Sequence, residues 1–171
     1  MHTVLRAVDG LNEWTGRIIA VATVFIVLFT IYDVGSRALF SRPTDWAFEV
    51  TKQLYALHFM MLGGYALLHR SHVEVDVFKE RLSARGQALL DVLGYLVFFL
   101  PFVIVLLAYS IRFASRSWAS GETTYGILAI PVYPIKTVIC IAAVLLALQA
   151  LATFARAVTV LLRGEERAHV A

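Results

Sequence analysis

Apolar residues run through this chain in four long stretches: Ile18 to Tyr32, Gln53 to Leu68, Val92 to Ile111 and Thr137 to Ala155. None of them holds an acidic or basic residue except His58. Charges bracket each one: Arg17 and Asp33, Lys52 and Arg70, Asp91 and Arg112, Lys136 and Arg156. A hydrocarbon core about 30 Å thick takes roughly 20 helical residues to cross. The third and fourth stretches meet that length outright, and the first two meet it with their flanks. The pattern predicts an all-α membrane protein, with four transmembrane helices and short interfacial connecting helices. It reads as one integral membrane domain over residues 1–171, with spans near 16–40, 46–68, 89–115 and 134–157.

The polar interruptions fix the expected ends. Helix one should reach about Phe40 and stop before Pro43, with Asp33 and Arg37 four residues apart and able to neutralise each other. Thr44 or Asp45 suits the N-cap of helix two, and Trp46 the interfacial aromatic position. Glu49, Lys52 and Gln53 share one side of that helix's first turns. The charged second connection, from His69 to Arg85, predicts a short interfacial element. Pro101 predicts a kink in helix three, because proline lacks a backbone donor and crowds the preceding turn. Pro131 and Pro134 exclude helix between them, and Pro134 fits the first turn of helix four. Before helix one, Leu5, Val8, Leu11 and Trp14 are expected to form an apolar stripe lying on the membrane surface. Asp9 and Glu13 interrupt the positive region that a cleavable signal needs.

Composition sharpens this picture. Sixty per cent of residues are hydrophobic and 16% charged, too apolar for a soluble domain of this size. The net charge of +3 is spread over segment ends, which speaks for membrane orientation and against nucleic acid as a partner. The single Cys140 excludes a disulfide framework and a metal-binding cysteine pair. If both ends lie on one side, that side carries nine Lys and Arg residues and the other six. The positive-inside rule then puts both termini and the middle connection in the cytoplasm.

No catalytic set is visible. A coupling carboxylate at the bilayer centre costs about 2.5 kcal/mol or more and is kept only for a reason, and none of the four stretches contains one. Arg37, Glu49 and Lys52 are expected to form a structural polar cluster at one interface, and His72 and Asp76 to order the second connection. His58, alone among the spans, suits a hydrogen bond to a neighbouring helix, as does Gln149. Gly63 and Gly64 permit close helix approach. Tyr95, Phe98, Phe99 and Phe102 read as lipid-facing or packing surface. His69 and His72, with Glu74 or Asp76, match no known metal-binding spacing.

Several segments together resemble a known family. They are Y-D-V-G-S-R from Tyr32, W-A-F-E from Trp46, G-G-Y-A-L-L-H-R-S-H-V-E-V-D from Gly63, and G-E-T-T (Gly121, Glu122) followed by I-P-V-Y-P-I-K from Ile130. On these residues the chain resembles the small, Q-type (DctQ-like) membrane subunit of tripartite ATP-independent periplasmic (TRAP) transporters. Where that family often has a second acidic residue after Glu49, this chain has Val50.

The resemblance implies a non-catalytic subunit in the bacterial inner membrane. Its partners would be a large multi-helix (M-type) transport subunit, a periplasmic substrate-binding protein and membrane lipids. No cofactor is expected on this chain, and sodium ions are expected in the partner large subunit. The substrate class implied is organic acids bearing a carboxylate. Arg37, Trp46, Glu49, Lys52, His72, Asp76 and Glu122 are the residues marked for structural or partner contacts. Two other readings stand beside it: a membrane anchor of a redox complex, motivated by His58 and the aromatic cluster, and a small self-assembling exporter.

Overall fold

A computed structural model of the chain describes residues 2–42, 44–69, 82, 84–125 and 128–163. The described residues are almost entirely helical. They form α1 (His2–Ala20), α2 (Ala22–Phe40), α3 (Asp45–Leu68), α4 (Ala84–Gly94), a π-helical turn (Tyr95–Phe99), α5 (Leu100–Ser120) and α6 (Tyr133–Arg163). Extended pairing among them is limited to a bridge between Thr123 and Pro131 in the loop before α6.

Three helical runs are long and apolar enough to cross a membrane: Thr3–Phe40, Leu89–Ser120 and Tyr133–Leu162. At 1.5 Å per residue, the 24 residues of α3 extend about 36 Å. Lys52, Gln53 and His58 lower its apolar character, and it does not join that set.

The local sequence explains the ends. Ser41 takes a left-handed conformation (φ 52°) after α2, and the amides of Ser41 and Arg42 close back on Arg37 and Ser36. Gly121 does the same after α5 (φ 59°), its amide and that of Glu122 bonding Trp118 and Ser117. Thr44 sits at the N-cap of α3 without capping it, because its hydroxyl donates to Asp33 instead. Pro134 lies in the first turn of α6, as its fixed φ favours.

At Pro101, where the sequence predicts a kink, the structure shows a π-helical turn. The turn before it widens to π geometry, and the Leu100 amide bonds back to Tyr95. That extra residue moves the carbonyls that a proline ring would crowd and that its missing N–H would leave unbonded.

The helices pack in a row. α2 lies against α3, α3 against α6, and α6 against α5 and α4. Among the described residues α2 and α5 make no packing of comparable extent, so the row does not close into a bundle. α6 is therefore the spine, and it contributes Ala143, Leu145, Gln149, Ala150, Ala152 and Ala157 to the buried interior. These are mostly small side chains, as expected where lipid supplies no hydrophobic drive and helices must approach closely. In the aromatic cluster, Phe98, 75% exposed, and Phe102 point away from the row, while Tyr95 and Phe99 are half-buried.

The amino-terminal segment departs from expectation. The residues before the span expected near 16–40 are themselves helical: α1 starts at His2 and packs on α3 and α6. The proposed stripe also splits, with Leu5 and Val8 half-buried while Leu11 and Trp14 are exposed. Strict steps of three residues precess by about 60° each on a helix of 3.6 residues per turn. Leu5 and Trp14 consequently fall on opposite faces. The interfacial element expected in the second connection lies outside the described residues.

Candidate functional site

Polar side chains gather at two levels of the row. At the first, α1 crosses α3 and α6. Gln149 of α6 is fully buried, and Asn12 of α1 is 1% exposed. The Asn12 side-chain amide donates to Gln149 Oε1 at 3.0 Å and to the Val8 carbonyl at 3.2 Å. Gln149 in turn donates through Nε2 to Asp9 Oδ1 at 3.1 Å, and Arg156 pairs with the other oxygen of Asp9. A four-residue chain, Asn12–Gln149–Asp9–Arg156, thus ties the first helix to the last.

Close approach makes this clasp possible. Asn12 Oδ1 receives no N–H or O–H and lies over Gly64, where a Cβ would stand 2.0 Å from it. One α-hydrogen of Gly64 occupies that direction, a weak C–H···O contact. Gly63 has a different standing, since a Cβ there would meet only Leu146 at 4.0 Å. Four residues along α1, Gly16 lies under the ring of Tyr65. Further along, His58 Nδ1 reaches the Ile19 carbonyl at 3.2 Å, the interhelical bond expected of it. Ile19 lies at the join of α1 and α2, where the amides of Val21 and Val24 bond three residues back. Glu13 binds both Arg17 and His69.

At the second level the marked residues fall into separate pairs. Arg37 pairs with Asp33 at 2.8 Å within α2, and Lys52 with Glu49 at 2.9 Å within α3. Trp46 packs its ring against Phe29 and Tyr32, joining α3 to α2. Gln53 donates to the Pro131 carbonyl at 3.3 Å, which fastens the loop before α6 onto α3. Glu122 pairs with Lys136, whose ammonium also lies 4.0 Å from the centre of the Phe113 ring. That ammonium holds the Glu122 carboxyl below its ordinary pKa. Trp118 packs at a tilt against Tyr133 and donates to the Thr137 hydroxyl at 2.8 Å, so α5 and α6 are stapled at this end. His72 and Asp76 lie outside the described residues.

An apolar groove of about 280 Å³ opens between α3 and α6 at this level, lined by Val50, Gln53, Leu54, Leu57, Ile130, Pro134, Ile135 and Val138. Gln53 is its one polar side chain, so the groove offers no cation to a carboxylate substrate. Among the described residues no three His, Cys, Asp or Glu side chains converge as a metal site.

Sequence reasoning found Gln149, His58 and the close helix approach, but missed Asp9, Asn12 and Arg156 as their partners. Asp9 and Asn12 precede the first apolar stretch, and nothing local shows that they face inward.

The family described as tripartite ATP-independent periplasmic transporters, DctQ component, matches residues 26–160, most of the chain from within α2 to near the end of α6. No curated protein matches the chain. The apolar helical runs and the matched family together place it in the bacterial inner membrane, as one component of a three-part transport system. The chain belongs to the DctQ family, the small component of TRAP transporters.

Proposed function

We propose that this chain is the non-catalytic scaffold of a sodium-coupled, binding-protein-dependent transporter for organic acids. In this reading it holds the large transport subunit, which carries the substrate and sodium sites. α3 serves as the fourth span beside α2 and α6, and the chain termini face the cytoplasm.

One observation carries the reading. The lengths between Arg17 and Asp33, Lys52 and His69, Asp91 and Arg112, and Lys136 and Arg156 hold no carboxylate and no Lys or Arg. The acidic residues that flank them include Asp9, Glu13, Asp33, Glu49 and Glu122, each paired with a cation. Ion coupling needs a charged or oxygen-rich site reached from both sides, and an ionisable group at the bilayer centre is kept only where it works. The energetics of coupling therefore belong to a partner.

α3 supports a fourth span by position. Its first turns lie beside the start of α6 through Gln53 and Pro131, and its last beside Leu145 and Leu146 through Gly63 and Gly64. It thus runs parallel to α6 through the same layer. Affinity purification of the tagged chain from its native membrane is the test. Recovery of a much larger multi-span protein in stable proportion supports the proposal, and recovery of the chain alone counts against it.

A further inference from the structure

α1 is a three-sided helix with its amphipathicity reversed. At about 100° per residue, Leu5, Asp9, Asn12 and Gly16 share the side that packs on α3 and α6, and that side holds the buried polar clasp. The opposite side carries Val4, Leu11, Trp14 and Ile18, all between 48% and 67% exposed. A third, narrow edge carries Arg6, Glu13 and Arg17. A helix that met water would show polar groups outward, and this one has turned them inward and satisfied them there.

We propose that the outward side of α1 is a phospholipid-binding surface, seated in the acyl region of the leaflet on its side of the membrane. Two features of the fold select lipid as the occupant. First, the exposed apolar side continues across Val21, at the join of α1 and α2, into Phe25 and Leu28, which belong to the membrane-crossing run Thr3–Phe40. From Leu11 onward the steps are three and four residues, so the exposed apolar face of α1 carries on into that of α2. Second, the charged edge flanks the apolar side and keeps Arg6 and Arg17 exposed, where guanidinium groups meet lipid phosphates while the stems lie along the acyl boundary. Trp14 sits between them at the depth where indole rings favour the interface.

The buried clasp and the lipid-facing side work together. Asp9–Arg156 and Asn12–Gln149 fix the rotation of α1 about its own axis, and that rotation decides which residues the bilayer receives. The inference uses only the membrane location of the chain. It does not depend on sodium coupling or on the substrate.

The test uses the full chain in its native complex, reconstituted into phosphatidylcholine vesicles, with Trp46→Phe and Trp118→Phe leaving Trp14 as this chain's fluorophore. A second preparation adding Trp14→Phe supplies the background to subtract. Bromine on the acyl chains should cause loss of most of the Trp14 emission, while aqueous iodide should leave it nearly unchanged. Quenching by iodide and not by brominated lipid would place this side of α1 in water and overturn the proposal. Protection from both quenchers would overturn it equally, by showing that a protein covers Trp14.

Discussion

Asn12 and Gln149, 137 positions apart, hydrogen-bond at 3.0 Å with no more than 1% of either residue exposed. The bond joins the first helix of the chain to the last. It also determines how α1 is turned, because Asp9 and Arg156 extend it by about one turn of α1 and about two turns of α6.

Replacing Gln149 with Leu removes an acceptor from Asn12 and a donor from Asp9. An interhelical hydrogen bond within a membrane is worth about 0.6 kcal/mol on average. A buried polar group left unpaired costs about 1–3 kcal/mol. Asn12 has no access to water, so the second term governs, and Gln149→Leu is expected to lose about 1–2 kcal/mol in detergent unfolding. Adding Asn12→Leu should return part of that loss, since the orphaned amide is then gone. A double variant as unstable as the sum of both singles would show that the pair is not coupled.

The adjacent glycines should behave differently. A Cβ at Gly64 would stand 2.0 Å from Asn12 Oδ1, whereas at Gly63 the nearest atom is 4.0 Å away. Gly64→Ala therefore forces Asn12 aside and costs about 1–3 kcal/mol. Gly63→Ala should be neutral or mildly stabilising, because alanine is the better helix former. Thermal unfolding of the two variants checks the order. Equal losses would contradict the close approach at Gly64.

Glu122 gives a pH signature. Its pKa lies below the ordinary 4.5 because of the Lys136 ammonium beside it. A carboxyl whose folded pKa is lowered contributes its full stabilisation above the unfolded value and loses it as pH falls through the folded value. Glu122→Gln should accordingly lower the unfolding temperature near neutral pH, and the gap to the parent should close as pH drops below 4.5. A gap that widens in acid would reverse the sign and exclude the pair as its cause.

Helices α3 and α6 were legible from their apolar runs and their flanking Asp45 and Pro134, because a membrane core demands length and local punctuation alone reveals it. The role of α1 was not. Asp9 and Asn12 look like solvent-facing residues of a polar leader, and only the three-dimensional meeting with Gln149 and Gly64 turns them inward. The pairing of Arg37 with Asp33 followed from four-residue spacing. That of Glu122 with Lys136 did not, since a loop of unpredictable course closes it. Thr44 shows the same limit from the other side: sequence marks it as an N-cap, and tertiary contact with Asp33 takes its hydroxyl.

On the function proposed above, this chain supports transport without performing it. The direct measurement is sodium-driven uptake of a radiolabelled organic acid into proteoliposomes, comparing this chain alone with the same chain, its co-purified large subunit and the binding protein. Uptake is expected only in the complete set. Sodium-driven uptake by vesicles holding this chain alone would contradict it.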